Sequence, residues 1–358
     1  MKTLFVICIF LFMTTVSMAA EQTASVYDRT VLTEDVTWRG SILVRGFVVV
    51  APHATLRIAP GTVVRFTPAA DGQLPVLVIQ GRLHAAGTPE LPILLTADKS
   101  RQERGSWGGI ALLSTGKRNL MEHCRIEYAE TGIDLRFSEI TLQSVSIAQS
   151  QTALMSHDGV IQMVGGTISD SVVGIEAYNS EFDGRNATVS SCKRGCIMNK
   201  SAVVFSSFNI VNNQQSGFEA EDCRIKMVGG EFSGNVLGAR INSSEGQITM
   251  SRFLRNGQTA LHLSGSRIKI QRCLFSDNSK DALRVEDGLA LLLNNAFSSN
   301  GGYNLYNAGR DVVSARQNWW GSSNLLLIRQ KVYDVLQDKN NGTVNIYPWL
   351  KEQPQLMQ

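Results

Sequence analysis

Several features that mark other classes of protein are scarce in this sequence. Proline occurs only 8 times in 358 residues, and the 31 glycines follow no three-residue repeat, which excludes a collagen-like chain. Charged residues make up 18% and hydrophobic residues 43%, which excludes an intrinsically disordered chain. The 34 basic and 31 acidic residues leave a net charge of +3, too little to attract nucleic acid by overall charge. We therefore expect no nucleic-acid partner, and any acidic partner must meet a local cluster of cations.

Long apolar runs are confined to the N terminus. Lys2 precedes an apolar stretch, Leu4–Met13, and the small residues Ser17 and Ala19 follow at the positions that signal peptidase recognises. No later run approaches the ~20 apolar residues of a transmembrane helix. We therefore predict a signal peptide over residues 1–20. The mature chain is expected to have no transmembrane segment and to be periplasmic or extracellular.

Cysteine is too sparse to hold the fold together. Cys8 falls in the predicted leader, and the five others are an odd number that cannot build a disulfide framework for a chain of this size. Cys192 and Cys196 are close in sequence, so one bridge between them stays open. No histidine shares their position in the repeat, and we expect no metal site there. The five are Cys124, Cys192, Cys196, Cys223 and Cys273.

A repeat of about 22 residues organises the chain from residue 126 onward. Apolar anchor residues recur at successive spacings of 21, 21, 21, 21, 22, 21, 22 and 22 residues, and one more step of 22 reaches Trp319. Self-similarity over so many steps is typical of solenoid proteins. The nine anchors are Ile126, Ile147, Ile168, Val189, Ile210, Phe232, Phe253, Phe275 and Phe297.

Each repeat contains three short segments in which apolar and polar residues alternate, as in Gly132–Leu135 and Ser138–Leu142. Alternation with period two predicts strands, and no helical segment separates them. Leucine-rich repeats have this length but need a helical or 3₁₀ return. The sequence therefore predicts an all-β, single-stranded right-handed parallel β-helix with three strands per coil of 21–22 residues. Three methionines at inward third-strand positions are expected in its core: Met163, Met227 and Met250.

A column of asparagine lies three residues after the later anchors. Asparagine tolerates left-handed turns, and stacked amides can bond to one another and to turn backbone. We therefore predict an asparagine ladder in one turn. Its members are Asn213, Asn235, Asn256, Asn278 and Asn300, preceded in earlier coils by Ser150, Ser171 and Cys192.

The open ends of such a stack require caps. At the C terminus, apolar residues at helical spacing over 325–336 and the segment Val344–Leu350 predict a short helix and a final strand. We divide the chain into a cap with irregular coils, regular coils, a C-terminal cap and a tail. Their predicted bounds are 21–110, 111–317, 318–350 and 351–358.

Two end segments resemble secreted bacterial right-handed parallel β-helix repeat proteins of the pectate-lyase-like superfamily. The N-terminal series Leu56–Thr62, Gly81–Thr88, Pro92–Thr96 and Trp107–Ile110 looks like the opening of these proteins. Asn318–Gly321, Tyr333-Asp334 and Tyr347–Leu350 are similar to their terminal unit. The resemblance implies the β-helix fold. It does not imply one activity, because the superfamily mixes polysaccharide lyases, glycoside hydrolases and adhesin-like proteins.

The outward positions of the second strand form a column in which catalytic groups could stand. Asp134, Glu176 and Glu219 recur every second coil, about 9.6 Å apart, at or beyond the separation that glycosidases use. Arg240, His262 and Arg284 occupy three successive coils. Two guanidinium groups would lower the imidazole pKa and neutralise a uronate carboxylate, as β-elimination requires. These three are the candidate catalytic residues of a lyase. The cofactor that such a lyase could use is Ca²⁺, and we expect no other. The alternative is that the three residues are ordinary exposed cross-strand pairs.

The outward positions of the third strand carry a basic stripe, with Gln247 and Thr249 assigned between its members. It is a candidate site for an anionic glycan or lipopolysaccharide, and solubilising surface charge is the alternative. Leu289 and Leu291 follow at the same positions one coil later and predict an apolar neighbour. The stripe consists of Arg224, Lys226, Arg267 and Lys269.

These patterns favour a protein that binds a glycan or another cell-envelope component without turnover. A polysaccharide lyase acting on a uronate-containing polymer by β-elimination is the first alternative. A structural or adhesin-like surface protein is the second. The sequence does not indicate the oligomeric state.

Overall fold

The computed structural model describes residues 24–70 and 72–355, so the predicted signal peptide lies outside the described residues. Every pairing between its strands is parallel, and each strand pairs with the equivalent strands one coil before and after it. The chain therefore forms a β-solenoid with three faces, and the predicted all-β fold class with three strands per coil is confirmed.

The three faces are defined by their strands. The first face, which holds the anchors, contains Val63–Thr67, Ile93–Ala97, Cys124–Glu127, Ser146–Ala148, Thr167–Ser169, Thr188–Ser190, Asn209–Val211, Glu231–Ser233, Arg252–Leu254, Leu274–Ser276 and Ala296–Ser298. The second face contains Val76–Ile79, Trp107–Leu113, Ala129–Arg136, Thr152–His157, Val173–Tyr178, Arg194–Asn199, Ser216–Glu221, Leu237–Asn242, Leu305–Asn307 and Val332–Tyr333. The third face contains Val36–Trp38, Thr55–Ile58, Arg82–Ala86, Arg118–Glu122, Glu139–Gln143, Val160–Val164, Glu181–Arg185, Ala202–Ser206, Arg224–Val228, Glu245–Thr249, Val313–Ser314 and Val344–Asn345.

Four longer strands bend from one face to the next. Ser25–Leu32 and Ser41–Val50 join the first face to the second, and Leu261–Gln271 and Leu283–Leu293 join the second to the third. The helical elements among the described residues are a 3₁₀ turn, Lys99–Arg101, and one α-helix, Leu325–Gln330.

In most coils, left-handed turn residues separate the third strand from the next first strand. They include Ser144, Gly165, Ser207 and Met250. A residue with positive φ interrupts the alternation of inward and outward side chains. Its own side chain, which the alternation would point inward, therefore does not enter the core. For this reason Met250 is only half-buried, whereas Met163 and Met227 are buried as predicted. The assignment of Met250 to the core was wrong.

The anchors form the predicted inner wall. All nine are at most 1% exposed, and the rings of the last four stack coil upon coil with centroid separations of 4.8–5.1 Å. The stack ends on Trp320, 4.9 Å from Phe297, and not on Trp319 as the 22-residue step predicts. The cause is one additional residue in the last coil, since Leu291 pairs with Ser314, 23 positions later. Trp319 meets its partner Ala296 through a backbone bridge.

The asparagine ladder is present in the turn between the first and second strands. Each amide Nδ2 donates to the next Oδ1 at 2.9–3.3 Å, and each Oδ1 also accepts the preceding backbone N–H. Ser171 and Cys192 continue the column toward the N terminus. A second, shorter ladder joins Asn295 to Asn318. These amides satisfy turn backbone that water does not reach.

The C-terminal cap consists of a helix and two short strands. The helix ends at Gln330, earlier than the predicted segment, because Lys331 carbonyl oxygen accepts from Asn304 and the chain then continues as a rung beside Leu305. Ile328 and Val332 are buried against the last coil. Asp334, itself buried, accepts the Val344 backbone N–H and so ties the final strand to the cap.

All five cysteines of the described chain are buried and free. The bridge left open between Cys192 and Cys196 is absent. Burial raises the pKa of the Cys124 and Cys273 thiols to about 12, which keeps them protonated and unreactive. Residues 24–70 and 72–355 contain no helix with the length and apolar character of a membrane span.

Candidate functional site

The four cations of the third face are brought together by strand register. Arg224 and Lys226 lie on one rung, and Arg267 and Lys269 lie two rungs later. The backbone of the second pair is therefore about 9.6 Å from that of the first. All four side chains are exposed. Among the described residues, none of them has a carboxylate within 4.0 Å. We call this set the basic patch.

The rung between these pairs differs from the sequence assignment. Glu245 stands between Arg224 and Arg267, and Gln247 stands between Lys226 and Lys269. Thr249, predicted to lie within the stripe, instead pairs with Val228 and lies to one side of the stripe. Half of the patch is therefore moderated by one carboxylate, while the lysine column is free of acid. An anionic ligand would meet its strongest attraction along that column.

A shallow depression of about 500 Å³ lies at the N-terminal end of the patch. Arg224, Lys226, Glu245 and Arg267 line it together with Ala202 and Val204. Gly246 also lines it; its φ is +145°, and a Cβ there would stand 1.9 Å from the carbonyl oxygen of Ile225. Only glycine fits there, because any side chain would collide with the backbone of the preceding rung.

The aliphatic neighbours of the patch are placed as predicted. Leu289 pairs with Arg267 and Leu291 pairs with Lys269 on the next rung. Both side chains point outward, with 56% and 43% exposure. The third face thus changes from cationic to apolar within one coil.

On the second face, strand register places Arg240, His262 and Arg284 on three adjacent rungs. The structure adds a carboxylate that the sequence argument missed: Glu286 lies 3.2 Å from His262 Nε2 and 2.7 Å from Arg284 Nε. The Arg284 guanidinium also lies over Tyr306, 4.5 Å from the ring centroid, and Tyr306 stacks on Tyr333. Both contacts of Arg284 could have been inferred from the sequence, since Glu286 is two residues beyond Arg284 on the same strand and Tyr306 is one repeat later.

This network leaves little for a substrate to bind. Arg284 is already held by Glu286 and by Tyr306, and Arg240 is the exposed cation that remains. The Nε2 atom of His262 is buried and lies 3.2 Å from a Glu286 carboxylate oxygen, but the two are poorly aligned for a hydrogen bond. The pair of free guanidinium groups that a uronate clamp requires is therefore not present at this position.

The His262 pKa is lowered, as the sequence argument expected, but the main cause is burial. Arg240 and Arg284 lower it further, and Glu286 raises it. Burial raises the pKa of Glu286, yet its contacts with Arg284 and His262 outweigh this and the net pKa is lowered. At pH 7 the network contains a neutral imidazole beside an ionised carboxylate.

We predict that His262 makes stability depend on pH. Between its lowered pKa and the ordinary value near 6.5, the unfolded chain binds more protons than the folded protein. The stability of the wild-type protein should therefore fall as the pH drops through this interval. His262→Gln removes the titrating group, so its melting temperature should fall less over the same interval. If the melting temperatures of both proteins fell by the same amount from pH 7.5 to pH 5, the prediction would be contradicted.

The three carboxylates of the second-strand column stand on every second rung, as the period predicts. Asp134 and Glu176 are separated by the rung of Met155, and Glu176 and Glu219 by that of Ile197. Arg136 binds Asp134. Among the described residues, no three His, Cys, Asp or Glu side chains cluster closely enough to hold a metal ion.

A larger groove of about 840 Å³ lies at the edge between the third and first faces. Its solenoid wall includes Met250, Arg272 and Leu274, and the last residue of the cap, Leu350, forms the other wall together with Pro354 of the tail. The segment that follows the cap therefore lies against this edge, away from the basic patch.

Sequence comparisons agree with this architecture. A profile described as the pectate-lyase-like beta helix domain matches residues 30–137, and one described as the right-handed beta helix region matches residues 173–320. The molecule is thus a right-handed parallel β-helix repeat protein. Its β-helix is of the pectate-lyase-like kind, the description that the first profile gives for residues 30–137. A comparison with curated protein sequences gives no match.

Solved structures with the same fold include enzymes. A single-mutant form of the periplasmic alginate epimerase AlgG has a TM-score of 0.61 at 11% identity, over 78% of this chain and 77% of that one. A double-mutant form has a TM-score of 0.52 at 12% identity, over 78% and 76%. The A-module of the Azotobacter vinelandii mannuronan C-5 epimerase AlgE6 has a TM-score of 0.43 at 12% identity, over 85% and 92%. The first two likenesses establish the fold.

Proposed function

We propose that this β-helix binds an acidic polysaccharide on its third face without turning it over. The observation that carries the proposal is the basic patch, in which four exposed cations without a paired carboxylate span three rungs. Exposed ion pairs are individually weak, so affinity would come from several contacts made at once along one polymer chain. Regular spacing along the solenoid axis suits a polymer with regularly spaced charges.

The kind of ligand is supported by the structural neighbours. The periplasmic enzyme AlgG is an alginate epimerase, and alginate is an acidic polysaccharide. A β-helix of similar shape thus accommodates such a polymer in another protein. Together with the predicted signal peptide, this favours a periplasmic or extracellular protein whose partner is a glycan of the cell envelope.

Binding without turnover is favoured by the groups around the depression. Its charged lining residues are Arg224, Lys226, Glu245 and Arg267, and none of its lining residues is histidine. An acid–base reaction at neutral pH calls for a group whose pKa lies near 7. A patch of cations holds an anionic chain but does not supply that group.

We predict that reversing the patch abolishes retention. Replacing Arg224, Lys226, Arg267 and Lys269 by glutamate should weaken binding to acidic polysaccharides about 100-fold, because each attraction becomes a repulsion. Wild-type binding should also weaken as salt rises. The measurement is retention of each protein on a panel of acidic and neutral polysaccharides at low and physiological ionic strength.

The matched control reverses four exposed cations that lie away from the third face. They are Lys99, Lys193, Arg255 and Lys280. This variant has the same net charge as the patch variant, so it should retain the polymer far better if location matters. Equal loss in both variants would show that overall charge, and not the patch, is responsible.

The alternative function is a polysaccharide lyase acting by β-elimination on the second face, with Arg240, His262 and Arg284 as catalytic residues. The lowered pKa of His262 favours it, because a neutral imidazole can act as a base. The same panel tests it, with Ca²⁺ supplied, by ultraviolet absorbance of unsaturated products. Absorbance that appears with wild type and disappears with His262→Ala would support the lyase. Under the proposed binding function, wild type forms no such product and the substitution leaves retention unchanged.

A further inference from the structure

The third face carries exposed aliphatic side chains directly beside the basic patch. Leu289 and Leu291 occupy the rung after Arg267 and Lys269. Val312 lies two positions before Ser314, the partner of Leu291, and the adjacent Asp311 accepts the Gly288 N–H, which places Val312 near Leu289. Exposures are 56% for Leu289, 43% for Leu291 and 60% for Val312. We call these three the apolar step.

The described chain does not cover the apolar step. The segment after the cap lies in the groove at the other edge of the face, against Met250, Arg272 and Leu274. The final strand stacks as the next rung, where Asn345 pairs with Ser314. The step is thus bounded by cations toward the N terminus and by polar residues toward the C terminus.

This arrangement selects between kinds of anionic glycan. A polysaccharide chain without apolar substituents that lay along the face would cover three aliphatic side chains only with the C–H surfaces of its sugar rings, which hydroxyl groups interrupt. A ligand with an acyl or alkyl chain attached close to its anionic sugars would place charge on the patch and hydrocarbon on the step. The two are one rung apart, about 4.8 Å, so charge and hydrocarbon must be close neighbours in the ligand.

Resting on the proposed function, we infer that the ligand of the third face is an acylated anionic glycan, a glycolipid whose hydrocarbon chain lies on the apolar step. The basic patch supplies charge complementarity to its sugars. The step supplies an apolar contact that rises in strength with the buried length of the chain. Neither contact requires movement of the solenoid, because both sets of side chains already point outward from one rigid sheet.

The test uses two soluble probes that differ only in an alkyl chain. They are trigalacturonate as its octyl glycoside and as its methyl glycoside, at concentrations where both are monomeric. We expect the octyl form to bind wild type at least tenfold more tightly, because burial of several methylene groups adds to the ionic contact. In the variant Leu289→Thr/Leu291→Thr this advantage should disappear, while affinity for the methyl form stays the same.

Two features keep the result interpretable. Threonine retains the preference for strand, so the variant should fold, and Leu291→Thr alone should give an intermediate loss. Val164→Thr is the matched control, since Val164 is also on the third face and 42% exposed but lies several rungs from the patch. It should keep the octyl advantage in full.

Failure of this inference is distinct from failure of the proposed function. Equal affinity of wild type for both probes would overturn the glycolipid inference and leave polysaccharide binding standing. An octyl advantage that survives in Leu289→Thr/Leu291→Thr would also overturn it, because the contact would lie elsewhere. Absence of binding by both probes and by the acidic polymers would overturn the proposed function and this inference with it.

Discussion

Replacing Asn256 by alanine should lower the free energy of unfolding by about 3 kcal/mol. The Asn256 amide is buried at the middle of the ladder, where it donates to Phe232 and Asn278 and accepts from the Asn235 backbone. Alanine leaves the Asn235 N–H buried without a partner, which costs about 1–3 kcal/mol, and also removes the bonds to the Phe232 carbonyl oxygen and to Asn278. Urea-induced unfolding followed by circular dichroism measures the loss.

The control for this substitution is Asn340→Ala. Asn340 is exposed, and its side chain bonds only to the nearby Asp338 among the described residues. Its loss should change the free energy of unfolding by less than about 0.5 kcal/mol. If both variants unfold at the same urea concentration as wild type, the ladder contributes nothing beyond an ordinary polar turn.

Removing all residues after Gly321 should convert the protein from a folded solenoid into an aggregating one. The deletion takes away Ile328, Val332, Val344 and Ile346, which are each at most 1% exposed. It also leaves the last strands with unpaired N–H and C=O groups, which readily pair with another chain. Size-exclusion chromatography and light scattering should show large assemblies, and yield of folded protein should fall.

The matched control ends the chain after Leu350 and removes the predicted tail, residues 351–358. This deletion keeps the helix, both cap strands and the aromatic stack, so the shortened protein should elute and melt like the full chain. If deletion after Gly321 also gave a protein with the size and melting temperature of the full chain, the cap would not be what protects the open end of the solenoid.

Much of the fold was predictable because a solenoid repeats one set of requirements. Every coil must place an apolar residue at the anchor position, and the nine anchors are all buried. The same logic predicted the asparagine ladder from its spacing. Prediction failed where the repeat is broken locally: one added residue moves Trp320 into the place expected for Trp319, and a positive φ turns Met250 away from the core.

The sequence predicted where the candidate site residues lie, but not whether their charged groups are free or paired. Strand register follows from the period, so the sequence alone placed Arg240, His262 and Arg284 on adjacent rungs and Leu291 beside Lys269. Whether a charged group is free depends on where long side chains point. That direction is set by neighbours on the same strand and on later coils.

The amino-acid sequence by itself determined the architecture of this protein, the inner wall, the ladder and the order of residues along each outer face, because all of these depend on a period that can be counted. Tertiary structure alone decided which cations are available. Glu286 and Tyr306 hold Arg284 on the second face, whereas Lys226 and Lys269 stay unpaired on the third. The physical reason is that electrostatic and stacking contacts act over a few ångströms between side-chain ends, and those distances exist only once the coils are stacked.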